Sequence, residues 1–251
     1  MSSIFDRDDF NRALFFPRAD RSPAPPDATD MFVGVGGANV HVRMHAAVPG
    51  TRCTLLLFHG NGEVVADYDA GARMFAAAGG ALAVADYRGY GASEGAPTLR
   101  DLIADARPIA AAVAAARPGP MVVMGRSLGG AAAHELYARP LPQMVGVVLE
   151  SAFFDLAGLI GRRGLPPPRT HAPADLATFD PATKLALGRL PLLVLHGALD
   201  SLILHDEAEA ALAAAGSADK RLVTIPERGH NDVSGEPTYW AALGTFLQRL
   251  T

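Results

Sequence analysis

The 251-residue sequence has one cysteine, two lysines and no long uninterrupted apolar run. The lone thiol, Cys53, excludes an intrachain disulfide and any thiolate metal cluster. It opens the run Cys53-Thr54-Leu55-Leu56-Leu57-Phe58 and reads as a buried core thiol. Basic charge is almost all arginine, with Lys184 and Lys220 the only lysines. The formal net charge is −4, which leaves no basic field for nucleic acid. No stretch is long and apolar enough to span a bilayer. The first sixteen residues, MSSIFDRDDFNRALFF, alternate charged with apolar groups and lack the apolar centre of a signal peptide. These absences predict a soluble, cytoplasmic protein with no integral membrane segment. The histidines and carboxylates show no metal-ligand spacing such as H-E-x-x-H, so no metal is expected.

What is present suits one α/β domain. Hydrophobic residues make up 49% of the chain and charged residues 19%, an ordinary globular balance at a length that buries a substantial core. A short helix is expected over 6–16, followed by a proline-rich connector from Pro17 to Pro26, so residues 1–30 read as an N-terminal element packed on a domain of 31–251. Met31–Val35 and Val40–His45 alternate around Gly36-Gly37 and predict a hairpin. The stretch Val33–Asn39 looks superficially like a nucleotide loop, but its G-x-G-x-x-G spacing fails at Asn39 and no helix follows.

Beyond the hairpin, short apolar runs cover 54–58, 81–85, 121–124, 145–149, 192–195 and 221–225. Helical stretches are expected over 64–78, 98–116, 128–138 and 204–215, with a last helix from Pro237 whose Trp240, Leu243, Phe246, Leu247 and Leu250 form one stripe. Non-alternating strands between helices predict a mostly parallel eight-stranded sheet covered on both faces, with the hairpin at one edge. The interval 152–189, with Pro166-Pro167-Pro168, is too long for an ordinary connection and reads as a short cap or lid insert.

The pattern G-x-S-x-G occurs twice, at Gly91-Ala92-Ser93-Glu94-Gly95 and Gly125-Arg126-Ser127-Leu128-Gly129. A nucleophile elbow needs a strand running in and a helix running out. Pro120–Met124 reads as that strand, and the small residues from Gly129 to Ala133 start the helix. Ser93 lies between Arg88-Gly89-Tyr90 and Ala96-Pro97, which describe a loop. Ser127 is therefore the candidate nucleophile and Ser93 a loop hydroxyl near the pocket.

A serine hydroxyl needs a base during attack. His134 falls inside a helix, His171 in the proline-rich insert and His205 at a helix start, while His196 precedes Gly197 at a strand end, where the usual role is shaping the turn. His230 follows the 221–225 strand through Pro226-Glu227-Arg228-Gly229, a loop on the same sheet edge as Ser127, and is the candidate base. Asp200, just beyond the strand of Leu192–Leu195, is the candidate acid, with Asp155 its competitor; Asp180 before Pro181 reads as turn chemistry. The expected oxyanion donors are the backbone N–H groups of Leu128 and Asn61. Asp86 and Arg88 are expected to brace their loop, His59 to shape the oxyanion loop, and Arg126 to pair with Glu150 or Glu63, with binding of a substrate carboxylate its alternative.

Together, Phe58-His59-Gly60-Asn61-Gly62-Glu63, Asp86-Tyr87-Arg88-Gly89-Tyr90-Gly91, Gly125–Gly130, Glu150-Ser151-Ala152-Phe153 and Gly229-His230-Asn231-Asp232 resemble the Bem46-like branch of the α/β-hydrolase superfamily. The resemblance runs from about Leu55 to the C-terminus. It implies the α/β-hydrolase fold, a Ser127–Asp200–His230 triad and a small or minimal cap. Such proteins include esterases, thioesterase-type depalmitoylases and peptidase-like members. Some relatives carry an N-terminal membrane anchor or an acylated cysteine-rich segment, and neither is seen in this sequence. Relatives often carry a V-P-like pair after the acid, where this chain has Leu202-Ile203-Leu204, so that loop is expected to differ in shape. The expected activity is cleavage of a small-molecule ester or thioester through an acyl-enzyme, without a cofactor. The alternatives are a peptidase or amidase and a catalytically silent binding protein on the same fold.

Overall fold

Successive residues of the apolar runs point to opposite faces of one sheet, and both faces are covered. In a computed structural model, which describes residues 3–162, 164 and 178–251, the strands are β1 (Ala28–Val35), β2 (Ala38–His45), β3 (Cys53–Phe58), β4 (Gly80–Ala85), β5 (Met121–Arg126), β6 (Met144–Glu150), β7 (Leu192–Gly197) and β8 (Lys220–Ile225). Their order across the sheet is β1-β2-β4-β3-β5-β6-β7-β8. β2 runs antiparallel to both β1 and β4, and every other pairing is parallel. Gly36 and Gly37 turn the hairpin with positive φ at both positions, as a tight two-residue turn requires.

Leu56, Phe58 and Val123 enter one core, whereas Leu55, Leu57, Val122 and Met124 enter the other. The first core is covered by α1 (Asp8–Leu14), α3 (Leu99–Ala116), α4 (Gly130–Ala138) and α7 (His205–Ala214), and the second by α2 (Ala72–Ala77) and α8 (Pro237–Leu250). This double burial is why the strands read as continuous apolar runs. Thr98 caps α3 by accepting the Asp101 amide at 2.9 Å. Among the described residues, no helix is long and apolar enough to cross a membrane.

Several expected elements shift. The helix expected over 64–78 divides into a 3-10 turn at Val65–Tyr68 and α2. The carboxylate of Asp67 accepts the Val64 amide at 3.0 Å, and Asp69 is held by Arg43 at 2.7 Å, which pins the chain between the two pieces. The stripe of α8 buries Tyr239 with Leu243, Phe246 and Leu247, while Trp240 is half-buried and donates its indole N–H to the Ser234 carbonyl at 2.7 Å. Among the described residues of the interval 152–189 are the short helices α5 (Leu156–Arg162) and α6 (Pro181–Leu187). Asp180 caps α6 by accepting the Thr183 amide, a helix start where turn chemistry was expected. The rest of the cap expectation, including Pro166-Pro167-Pro168 and His171, lies outside the described residues.

On β2, His41, Arg43 and His45 lie on one face and are buried. Arg43 donates to Asp30, Asp69 and the Ser22 carbonyl, which locks the proline-rich connector and the turn before α2 onto the sheet edge. His134 on α4 is buried against Gly130 and Phe153. Among the described residues its ring nitrogens have no hydrogen-bond partner, and burial pushes it down to about 3. The folded state therefore resists a proton that the unfolded chain takes up below about pH 6.5, so stability falls as pH drops from there toward 3. Replacing His134 with Leu should flatten the pH dependence of the unfolding free energy between pH 6 and 4 by about 1.4 kcal/mol per pH unit. Urea unfolding across that range measures it, and parallel curves for the two proteins would disprove the buried neutral ring.

Candidate active site

Strand β5 delivers Ser127 to a turn only small neighbours allow. Ser127 has φ of 50°, a left-handed conformation that costs a non-glycine residue energy and persists where the surroundings enforce it. A Cβ at Gly129 would overlap the Phe58 carbonyl, and one at Gly125 would overlap Ala133 and the Gly129 carbonyl. The two glycines let the turn press against β3, and a 3-10 turn at Ser127–Gly129 leads directly into α4. Ser93 has a different role: its hydroxyl accepts the His41 amide at 2.9 Å and its own amide donates to the Tyr90 carbonyl. The Gly91–Gly95 motif braces β2, and Ser93 is not among the described walls of the cavity beside Ser127.

The loops after β7 and β8 bring Asp200 and His230 to that serine. His230 Nε2 lies 2.9 Å from Ser127 Oγ, and His230 Nδ1 lies 2.8 Å from Asp200 Oδ2. An ionised carboxylate can only accept, so the ring proton sits on Nδ1 and leaves Nε2 to accept the serine proton. Asp200 is buried, which alone would raise it. The His230 hydrogen bond and the Ile203 and Leu202 amides, both donating to its Oδ1 at 2.9 Å, outweigh that and hold the carboxyl below its usual range. Leu202-Ile203 thus supplies two donors, one of which a proline at 203 would remove. His196 sits beneath, with Nε2 on the Ile203 carbonyl at 2.9 Å and 3.4 Å from Asp200 Oδ2. Gly197 lets the two loops meet, because a Cβ there would strike the carbonyls of Arg228 and Gly229. Asp155, the competing acid, instead accepts the Gly158 amide at 2.9 Å and starts α5.

Asn61 and Leu128 line one cavity with Ser127. The Asn61 side chain is engaged elsewhere: Nδ2 donates to the Leu14 carbonyl at 2.6 Å, and Oδ1 accepts from the Phe16 amide at 2.8 Å and the Tyr90 hydroxyl at 2.6 Å. His59 bonds through Nδ1 to the Gly60 carbonyl at 2.7 Å and lies 3.2 Å from the buried Asp86, so it shapes this loop as expected. Arg88 pairs with Asp105 at 2.7 Å. None of the side-chain links to the N-terminal segment could be read from the sequence, because Leu14 and Asn61 are 47 positions apart.

Arg126 pairs with both Glu150 and Glu63. Nε donates to Glu150 at 3.1 Å, Nη1 to Glu63 and Nη2 to Asn231 Oδ1 at 2.9 Å. Glu63 in turn accepts the Gly60 amide and the Tyr68 hydroxyl, each at 2.7 Å, while Glu150 accepts the Tyr239 hydroxyl at 2.6 Å. Burial raises the Glu150 carboxyl despite the adjacent guanidinium. Tyr68, Asn231 and Tyr239 were not anticipated as members. Only the quoted motif containing Asn231 offered a signal.

The sequence model of the family described as serine aminopeptidase, S33, matches residues 49–174, half of the chain. Protein bem46 of Schizosaccharomyces pombe is 27% identical over 82% of this chain and 71% of its own length. An uncharacterized protein of Mycobacterium tuberculosis is 34% identical over 59% of this chain, which spans about half of that relative (52%). Among solved structures, an esterase of Pyrococcus furiosus superposes with a TM-score of 0.75 at 17% identity, covering 93% of this chain and 98% of its own. At that identity the likeness concerns the fold alone.

The Arg126 side chain is 11% exposed and that of Glu150 5%. Removing the guanidinium leaves Glu150 as a buried charge with the Tyr239 hydroxyl bond and the repelling Glu63 carboxylate, so Arg126→Met should destabilise the protein by about 3–5 kcal/mol. Adding Glu150→Gln to that variant should return a large part of the loss. Chemical unfolding of the two single variants and the double variant measures the coupling, and additive losses would show that the pair does not interact.

Proposed function

The chain belongs to the serine aminopeptidase S33 family of α/β-hydrolases, in its Bem46-like branch, and from that premise we propose that it is a serine hydrolase acting on carboxylic esters or thioesters. The observation that carries this reading is the unbroken line from Ser127 Oγ through His230 to Asp200, with links of 2.9 and 2.8 Å, on a serine held at positive φ. Ser127 attacks the acyl carbonyl while His230 Nε2 takes the hydroxyl proton, and Asp200 stabilises the imidazolium that forms. The carbonyl oxygen gathers negative charge against the backbone amides of Asn61 and Leu128. His230 returns the proton to the leaving oxygen or sulfur. Water, deprotonated by the same histidine, then releases the acid and restores Ser127.

The family description favours one second reading, cleavage of a peptide from its amino end. Such an enzyme must hold a substrate ammonium beside the scissile bond. The described walls of the cavity at Ser127 are mainly apolar, and the nearby carboxylates of Glu63, Glu150 and Asp200 are already engaged with Arg126 or His230. This supports the ester over the amide.

A fluorophosphonate should label the wild-type protein at Ser127 and leave Ser127→Ala unlabelled. Among the acids, Asp200→Asn should lower kcat on an aryl ester by roughly 10⁴-fold, because the ring then adopts the wrong tautomer, whereas Asp155→Asn should keep most of the activity. Labelling that survives in Ser127→Ala would refute the mechanism, and a higher kcat/KM on a matched amide than on the ester would move the assignment to the peptidase reading.

A further inference from the structure

The cavity beside Ser127 is small. Its volume is about 10 Å³, room for the centre of one water-sized group. Its described walls are Ser127, Leu128 and Asn61 together with Leu14, Phe153, Leu159, Leu202 and Ile203. Neither His230 nor Asp200 is among its described walls. The leaving group must depart on the side of His230, which delivers its proton, and a space walled by other residues suits the acyl side of the carbonyl.

The apolar walls differ in how they are held. Phe153 follows β6, and Ile203 is tied to Asp200 through its amide, so both are fixed by the sheet and by the acid loop. Leu14 comes from outside the sheet. It ends α1, is 1% exposed, and its carbonyl accepts from Asn61 Nδ2 while the amide two residues on donates back to Asn61 Oδ1. The side chain of Asn61 thus pairs with the N-terminal backbone as a neighbouring strand would, and Asn61 itself is one of the cavity's described walls. Asn11 anchors the same segment by accepting the Leu99 amide at 3.0 Å and donating to the Phe5 carbonyl at 3.0 Å.

Resting on the reading of Ser127 as nucleophile, we propose that the N-terminal segment closes the acyl site. Leu14 then limits the substrates to short acyl groups, acetyl and propionyl esters or thioesters. A longer chain must displace the Leu14 side chain, and pushing it aside presses on the backbone whose Leu14 carbonyl and Phe16 amide form the latch to Asn61. Acyl length and oxyanion geometry are therefore coupled through one residue, Asn61.

The test is kcat/KM on p-nitrophenyl esters of acetate, propionate, butyrate, hexanoate and octanoate for wild type, Leu14→Ala and Leu14→Val. Wild type should fall at least about tenfold from acetate to hexanoate. The hexanoate-to-acetate ratio should rise at least about tenfold in Leu14→Ala and by a smaller step in Leu14→Val. A wild type that cleaves octanoate as readily as acetate overturns the proposal without any variant, as does an unchanged ratio in the two variants when they remain folded and active. A wild type that cleaves none of the esters and takes no fluorophosphonate removes the Ser127 reading itself, a result distinct from an active enzyme whose length profile ignores Leu14.

Discussion

One buried guanidinium ties the candidate site together. Arg126, the residue before the serine, reaches the loop after β3 through Glu63, the end of β6 through Glu150 and the loop after β8 through Asn231. Those three segments carry or lead to Asn61, Phe153 and His230. The arginine fork suits the task because its donors diverge in fixed directions and it stays charged at any working pH. Two partly or fully buried carboxylates would repel each other without it, and Glu63 transmits the order onward by accepting the Gly60 amide at 2.7 Å. A buried ion pair is not in itself a large source of stability. What this one supplies is a single arrangement of the side chains that the ends of β3, β5, β6 and β8 bring together.

Close approach does for the backbone what Arg126 does for the side chains. Gly129 lets the elbow lie on the Phe58 carbonyl, and Gly197 lets the acid loop lie on the carbonyls of Arg228 and Gly229. Each contact brings two strand ends nearer than any side chain would allow. The left-handed Ser127 is sustained by this packing, which gives the strained residue no room to relax. Placement of the serine, the histidine and the acid therefore depends on residues that do no chemistry themselves.

Much of this was legible in the chain. The strand residues of β3 and β5 to β7 read as continuous apolar runs because both faces are covered, and the same property distinguished a parallel sheet from a solvent-facing one. Ser127 stood apart from Ser93 because a strand preceded it and a helix followed, and the structure shows Ser93 bonded to β2 instead. The broken 64–78 helix was not legible, since it depends on Arg43 capturing Asp69 from another part of the chain. Nor was the exchange of Trp240 for Tyr239 in the buried stripe of α8. Helical spacing fits both residues nearly as well, and the choice falls to the Glu150 carboxylate that accepts the Tyr239 hydroxyl.

The sequence by itself determined the sheet and the strand-turn-helix at Ser127, and it singled out Asp200 and His230 as candidates, because each follows from residues close together in number. Local periodicity and turn chemistry act over a few positions, and the candidate residues sit where strands end. The tertiary structure alone decided which neighbours those residues have: Arg126 among Glu63, Glu150 and Asn231, His196 beneath Asp200, and Leu14 latched to Asn61 over the serine. These contacts join side chains and backbone from separate elements, and only the packing of the whole sheet brings them within bonding distance.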